Sequence, residues 1–337
     1  MIKLRFTNFI VISIALFFAA CSHSPERIQL LGEAQGTYYS IIYYDDQNRN
    51  LKTEVDSILD AFDQSVSIYQ PQSIVSKVNR NEDVELDDWF VTNFNEAIRI
   101  AKLTDGAMDI TIGPLANAWG FGNYAHPDKI DPVLIDSLRK LVDYRAVKIV
   151  NKRLVKQDPR MLLNFNAIAQ GNSVDVLGAY FSSLGITNYL IDVGGELLAK
   201  GEKPNKEKWK VGIEKPSENS DDERELQHTF ALKDHALATS GNYRKYYEID
   251  GVRYAHSLDP KTGYPVQHSL LSASVLAKTC TEADAYATAF MVMGLDKAMA
   301  FIAQHPDIQA YFIYHDKDNG FQTLMSDGFL EALDSKK

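Results

Sequence analysis

A carboxylate and a hydroxyl stand four residues apart in Thr281-Glu282-Ala283-Asp284-Ala285-Tyr286-Ala287-Thr288, a stretch that reads as the opening of a helix. At that spacing the oxygens of Asp284 and Thr288 share one helix face. With no imidazole or thiolate beside them they make a hard, all-oxygen donor set, which suits Mg²⁺. The same spacing also fits an Asp facing solvent and a Thr bonded back to the helix backbone. A second stretch is Tyr254-Ala255-His256-Ser257-Leu258-Asp259-Pro260-Lys261-Thr262-Gly263-Tyr264-Pro265. Its prolines fix backbone torsions and Gly263 tolerates a left-handed turn, so the loop is stiff. A stiff loop carrying His256 and Asp259 can aim a polar group, although a plain structural turn with a surface histidine has the same composition.

Four more segments carry polar groups among small residues. Asn164-Phe165-Asn166-Ala167-Ile168-Ala169-Gln170-Gly171-Asn172-Ser173 joins a strand to a helix. Ala167 and Gly171 are small where backbone must come close to something, the helix N-terminus offers N–H groups to an anion, and Asn166 is a good N-cap. Asp192-Val193-Gly194-Gly195-Glu196 either lets backbone pass near a ligand or makes a tight hairpin turn. Ala238-Thr239-Ser240-Gly241-Asn242-Tyr243-Arg244 has the make-up of a phosphate-side wall, with Arg244 as a charged fork. In Gly106-Ala107-Met108-Asp109-Ile110-Thr111, Met108 is suited to a flat ring and Asp109 to a purine amine or a ribose. Tyr69, Trp119 and Phe121 could flank that pocket, though each aromatic taken singly is more often core.

Apolar and β-branched patterning predicts the elements that position these groups. Helices are expected over 51–69, 89–103, 132–141, 168–184, 281–293 and 296–305. Strands are expected over 37–44, 188–193, 197–200, 209–214, 228–232 and 272–276, with hairpins over 146–156 and 308–325. Residues 203–226 read as a surface excursion between strands. Helices and strands mix without a strict β-α-β alternation, which predicts an α+β fold with mixed, largely antiparallel sheets and packed helices.

The first 20 residues have a positive start at Lys3 and Arg5, an apolar run over 9–18, and Ala19-Ala20 before Cys21. That is the form of a secretory signal, too short to span a bilayer comfortably. Small residues directly before a cysteine resemble a bacterial lipoprotein signal, with Cys21 as the acylated residue and Phe18 where Leu is usual. The expected organisation is a signal over 1–20, a lipid-anchored tether over 21–33 and one domain over 34–330, exported and facing the periplasm. Losing Lys3 and Arg5 with the signal takes the formal net charge two units down, from −10 to −12. That acidity argues against nucleic acid or an anionic membrane surface as the main partner. After Cys21 only Cys280 remains, so neither an intrachain disulfide nor a cysteine zinc site is open to the mature chain, and Cys280 is expected to be buried.

The order of the pieces resembles the ApbE family, the FAD:protein FMN transferases. Gln35-Gly36-Thr37 leads, then the segments at 106–109, 166–171, 192–195 and 239–243, the loop His-x-x-Asp-Pro-x-Thr-Gly-x-Pro from His256, and Ala283-Asp284-Ala285 with Thr288. The resemblance covers roughly residues 30 to 330. It implies an exported, Mg²⁺-dependent lipoprotein that splits FAD, passes FMN to a threonine hydroxyl of a target protein and releases AMP. The implied acceptors are subunits of Rnf-type complexes or of sodium-pumping NADH:quinone reductase. Carried over position by position, it implies Asp284, Thr288 and Ala167 at the metal. It implies Gln35, Tyr69, Ala107, Met108, Asp109, Asn164, Gln170 and Ser257 at the FAD, and His256 as the base. Three positions depart from the family pattern: Gln35 replaces a usual Met, Asn164 a usual Asp and Gln170 a usual Lys. Two other readings fit the same residues: an FAD pyrophosphatase giving FMN and AMP, and a lipoprotein that binds FAD without chemistry.

Overall fold

The computed structural model describes residues 25–122, 126–127, 129–215, 225–242, 246–249 and 252–334. The signal, Cys21 and Tyr243-Arg244 lie outside the described residues, as do 216–224 of the polar excursion. The chain opens with strands β1 (Glu26–Ala34) and β2 (Thr37–Asp45), then helices α1 (Lys52–Val66), α2 (Ile74–Asn79), α3 (Asp88–Leu103), α4 (Gly113–Ala118) and α5 (Pro132–Arg139). A hairpin of β3 (Val147–Val150) and β4 (Arg153–Lys156) precedes α6 (Ala169–Ser183). Strands β5 (Asn188–Val193), β6 (Glu196–Lys200), β7 (Trp209–Glu214), β8 (Leu226–Leu232) and β9 (His235–Gly241) follow. Next are β10 (Tyr246–Ile249), β11 (Val252–Ala255) and β12 (Leu270–Ala277). The chain closes with α7 (Cys280–Met293), α8 (Leu295–Ile302), β13 (Gln309–Asp316), β14 (Gly320–Met325) and α9 (Phe329–Asp334).

Eight strands form one sheet in the order β1-β2-β5-β6-β9-β12-β13-β14, antiparallel at every pairing. This is the α+β architecture expected from the sequence. One face packs against α6 and α7 and, beyond them, α1 and α3; Ile41, Tyr43, Ile191, Val275, Phe181 and Phe290 belong to that core. The other face is covered by the β7–β8 hairpin and α9, around Trp209, Tyr311 and Phe329. Covered on both sides, β12 is buried at every position but Leu271, which is why Leu270–Ala277 is an apolar and small run without alternation. The central helix α7 is buried nearly all round as well.

The register places one end of this sheet at the site. The β1–β2 turn (Gln35-Gly36), the β5–β6 turn (Gly194-Gly195), the end of β9 and the start of β12 lie together there. Both turns are two-residue hairpins with positive φ at each position: 55° and 72° at Gln35 and Gly36, 62° and 104° at Gly194 and Gly195. That is the backbone hand that matches strand twist.

Two expectations need correction. Residues 26–33 are not a tether: β1 pairs with β2 along all nine of its residues. As an edge strand it fully buries only Leu30, so its sequence looks solvated. Strand β9 went unrecognised because Ala236, Ala238, Thr239, Ser240 and Gly241 are too small to read as strand; α7 packs directly over them, and small side chains are what that approach requires.

Candidate active site

Two helices set the first half of the site. Gly171, in the first turn of α6, has no room for a side chain: a Cβ there would stand 2.3 Å from the Cys280 carbonyl oxygen and 2.7 Å from Cβ of Asp284. The contact brings the Gly171 N–H to Oδ2 of Asp284 at 2.9 Å. Asp284 is 6% exposed and makes no ion pair among the described residues. Burial pushes its carboxyl up to about 7, with the Gly171 N–H opposing and the Asp175 charge adding to the rise. One turn further along α7, Thr288 Oγ1 lies 3.2 Å from Ser240 Oγ at the end of β9. The two oxygens predicted on one helix face therefore point at the sheet end where the hairpin turns gather.

These residues fit a divalent cation. The donors are all oxygen, and Asp284 brings a buried carboxylate that makes no ion pair among the described residues. Ala167, the third expected position, lies in the turn entering α6, four residues before Gly171; Ala169 N–H closes that turn on the Phe165 carbonyl at 2.8 Å. Asn166 does not cap the helix. Position 168 is the cap, without a side-chain bond, and Asn166 Nδ2 instead donates to Tyr69 Oη at 3.1 Å. This brings Tyr69, 52% exposed, to the mouth of the site.

The expected nucleotide contacts fall into two groups. The first surrounds the N-terminus of α6. Ser173 Oγ donates to the Gln170 carbonyl at 2.7 Å and reaches Gln35 Oε1 at 3.3 Å. Gln35 also lies beside Asp63 of α1, whose carboxyl burial raises to about 6. The Gln170 amide fills the space beside Gly194, where an added Cβ would meet its Nε2 at 2.2 Å and Thr37 Cγ2 at 2.6 Å. Gln35, Gln170 and the Gly194 turn are thus one packed unit.

The second group is the 107–109 segment. Ala107, Met108 and Asp109 are all buried. Asp109 accepts Thr111 N–H at 2.8 Å, Thr111 Oγ1–H at 2.7 Å and Tyr144 N–H at 2.8 Å. Its carboxyl is raised by burial, and the Thr111 and Tyr144 bonds oppose the rise. Here Asp109 fastens its own loop, a role its sequence context did not announce. Asn164 is buried too. Its N–H donates to the Ile110 carbonyl at 2.7 Å and its Oδ1 accepts Asn166 N–H at 2.9 Å, so it ties the 107–112 segment to the turn before α6.

The proline loop completes the arrangement. His256 is half-buried where β11 passes into the loop. Ser257 Oγ donates to Asn242 Oδ1 at 2.7 Å, and Asn242 lies two residues beyond Ser240, the partner of Thr288. Two hydrogen bonds and a short run of backbone thus link the His256 loop to the Asp284 helix. Asp259 shapes the loop from inside: its N–H donates to the Tyr264 carbonyl at 2.9 Å, its carbonyl accepts Gly263 N–H at 2.8 Å, and its Oδ1 accepts Lys261 N–H at 2.8 Å. From outside, Trp119 Nε1 donates to the Gly263 carbonyl at 2.8 Å. Trp119 is 0% exposed in a small core with Leu115, Ile135 and Leu258. It holds the loop from within that core, the commoner of the two places the sequence allowed an aromatic, rather than lining a ring pocket; Phe121 packs on the edge of that same core. Lys261 Nζ meets Asp105 Oδ2, joining the loop to the segment before Ala107. The sequence reading missed Asp175, although its place one turn after Gly171 puts it on the same face of α6.

The ApbE family profile matches residues 35–312. The chain is 37% identical over 326 residues to the FAD:protein FMN transferase of Vibrio cholerae, covering 94% of this chain and 96% of the relative. It is 34% identical over 356 residues to the FAD:protein FMN transferase of Escherichia coli, covering 99% of each. The solved flavin transferase ApbE from Vibrio cholerae superposes with a TM-score of 0.82 at 35% identity, over 91% of this chain and 99% of that one. The solved Thermotoga maritima ApbE protein gives a TM-score of 0.80 at 28% identity, over 91% of this chain and 99% of its own. With sequence and fold agreeing over nearly their whole length, the chain belongs to the ApbE family.

Proposed function

We propose that this protein transfers FMN from FAD to a threonine hydroxyl of an acceptor flavoprotein and releases AMP. The relatives in Vibrio cholerae and Escherichia coli carry the name FAD:protein FMN transferase. The observation that carries the reading is the convergence of Asp284 and Thr288 with the His256–Ser257 loop through Ser240 and Asn242. Phosphoryl transfer depends mostly on positioning and charge neutralisation. Asp284, Thr288 and the Ala167 carbonyl would hold Mg²⁺, which supplies neutralisation of the diphosphate charge when bound. Gln35, Tyr69, Asn164, Gln170 and Ser257 border the space for FAD, with Ala107, Met108 and Asp109 shaping its wall. His256 takes the proton from the incoming hydroxyl, a general-base role that an imidazole commonly fills. The stiff loop keeps its imidazole in place while the acceptor docks.

In the same reading the chain is exported and held to a membrane through acylated Cys21, facing the periplasm, with acceptors of the Rnf or sodium-pumping NADH:quinone reductase type. Replacing Cys21 by Ser is expected to move the protein to the soluble fraction; retention on membranes overturns the anchor.

Incubation with FAD, Mg²⁺ and an acceptor subunit is expected to add the mass of FMN to the acceptor. His256→Ala is expected to lower that rate by about 10²- to 10⁴-fold while FAD still binds. Wild-type transfer by His256→Ala removes the histidine from the mechanism, and free FMN without an acceptor at the same rate turns the assignment to hydrolysis.

A further inference from the structure

Helices α6 and α7 exchange hydrogen bonds at two successive levels, in opposite directions. At one level an α6 amide serves an α7 carboxylate: Gly171 N–H donates to Asp284 Oδ2 at 2.9 Å. One turn along, an α6 carboxylate serves α7 amides. Asp175 Oδ1 accepts Cys280 N–H at 2.9 Å and Oδ2 accepts Thr281 N–H at 2.8 Å. Thr281 Oγ1–H adds a further bond to the same Oδ2 at 2.5 Å. Thr281 is held in turn by Asn172 Nδ2 at 3.0 Å, and Asn172 Oδ1 accepts Asn93 Nδ2 from α3 at 3.0 Å. The first N–H groups of a helix have no partner within it, so Asp175 satisfies donors that would otherwise be left open. The ordinary cap is also present: Thr279 Oγ1 accepts Glu282 N–H at 3.2 Å. Thr279 thus serves the third N–H of α7 from within the chain, while Asp175 serves the first two from α6 and so ties the start of one helix to the other.

Together the two levels fix the axial register of α7 against α6. A helix rises about 1.5 Å per residue. A slip of one residue would take both Cys280–Thr281 off Asp175 and Asp284 off Gly171. Gly171 admits no side chain, so the helices cannot compensate by moving closer.

We propose that Asp175 is a positioning residue for the divalent-ion site: by bracing the first turn of α7 it determines where Asp284 stands. The proposal rests on the metal reading above and adds to it a residue that touches neither ion nor FAD. Groups that orient a ligand from behind typically change metal affinity about 10- to 100-fold when altered.

The test measures Mn²⁺ binding to the full-length protein by electron paramagnetic resonance, without FAD, beside the Mg²⁺ dependence of transfer. Asp175→Asn keeps the size but turns an acceptor into a donor facing an N–H. It is expected to raise the half-saturating Mn²⁺ concentration about 10- to 100-fold, with FAD affinity in the absence of metal unchanged. Asp175→Glu, which keeps the charge and lengthens the arm, is expected to behave like Asn; wild-type Mn²⁺ affinity in either variant overturns the brace. Should Asp175→Asn fail to fold, Thr281→Val removes the hydroxyl's bonds to Asp175 and Asn172 while leaving both backbone N–H bonds to Asp175, and unchanged Mn²⁺ binding there overturns the proposal equally. Asp284→Ala separates the two claims. If it binds Mn²⁺ as the wild type does, the metal reading falls and the brace with it. If it loses Mn²⁺ while Asp175→Asn keeps it, only the brace falls.

Discussion

The two halves of the site are held by different physics. On the α6–α7 side, position comes from tertiary contact: a glycine without room for a methyl group, a buried carboxylate on a backbone amide, and a reciprocal brace one turn away. On the His256 side, position comes from the chain's own torsions. Asp259 closes the loop on itself, and the outside holds on it include the Trp119 indole and a surface ion pair. The first arrangement tolerates almost no change of volume. The second should tolerate changes at its surface and respond mainly to loss of a buried hydrogen bond.

Gly171→Ala tests that contrast hardest. Its Cβ would meet a backbone carbonyl oxygen at 2.3 Å, and backbone cannot rotate aside as a long side chain can. Overpacking typically costs about 1–3 kcal/mol, and this contact lies at the top of that range. Thermal unfolding should show the loss, and any folded protein should need far more Mg²⁺ for transfer. A Gly171→Ala variant with wild-type stability and Mg²⁺ response would mean that the helices are free to separate.

Trp119→Phe addresses the loop. It keeps most of the ring in the small core and removes the indole donor to the buried Gly263 carbonyl. An unsatisfied buried acceptor costs about 1–3 kcal/mol. The effect on function should be split: a lower kcat for transfer, because His256 is less well held, with FAD binding unchanged. A change confined to FAD affinity would give Trp119 the ring-flanking role that the sequence left open beside a core position.

The same contrast explains what was legible in the sequence. Stiff loops announce themselves through Pro and Gly, so His256 to Pro265 could be read as a unit, and the four-residue spacing of Asp284 and Thr288 showed their shared face. Helices and strands with clear periodicity, such as α1, α3 and β5, fall close to where patterning put them. What could not be read was contact between distant segments. Nothing local says that Asp175 receives the amides of Cys280 and Thr281, or that Asp109 spends its carboxylate on Thr111 and Tyr144. Strand β9 was hidden for a related reason: its residues are small because a helix lies on them, and patterning sees one segment at a time.

A carboxylate at the edge of the helical half gives a pH test of smaller size. Asp63 sits beside Gln35, and burial raises its pKa from 3.8 to about 6. A raised carboxyl binds its proton more tightly when folded, so its contribution to stability is full below pH 3.8 and is lost as pH rises through about 6. Above that window Asp63 opposes folding. Asp63→Asn should therefore stabilise the protein at pH 7, by under about 1 kcal/mol because partial exposure screens the charge, and should flatten the pH dependence of stability between 4 and 6. A lower melting temperature at pH 7 would show that its contact with Gln35 outweighs its desolvation.

The smallest effect is expected at Lys261 and Asp105. Their ion pair joins the His256 loop to the segment before Ala107, but the side chains are 58% and 90% exposed. Exposed pairs lose most of their Coulomb attraction to water and salt, and ordering two flexible side chains offsets the rest. In a double-mutant cycle of Lys261→Ala and Asp105→Ala, the coupling in both stability and transfer rate should be indistinguishable from zero. A clear coupling in transfer rate alone would change the picture of the loop: it would then be steered by charge from the 106–109 segment as well as by its own torsions. In that case the coupling should fade as monovalent salt is raised, whereas the Trp119 contribution, made in a dry core, should not.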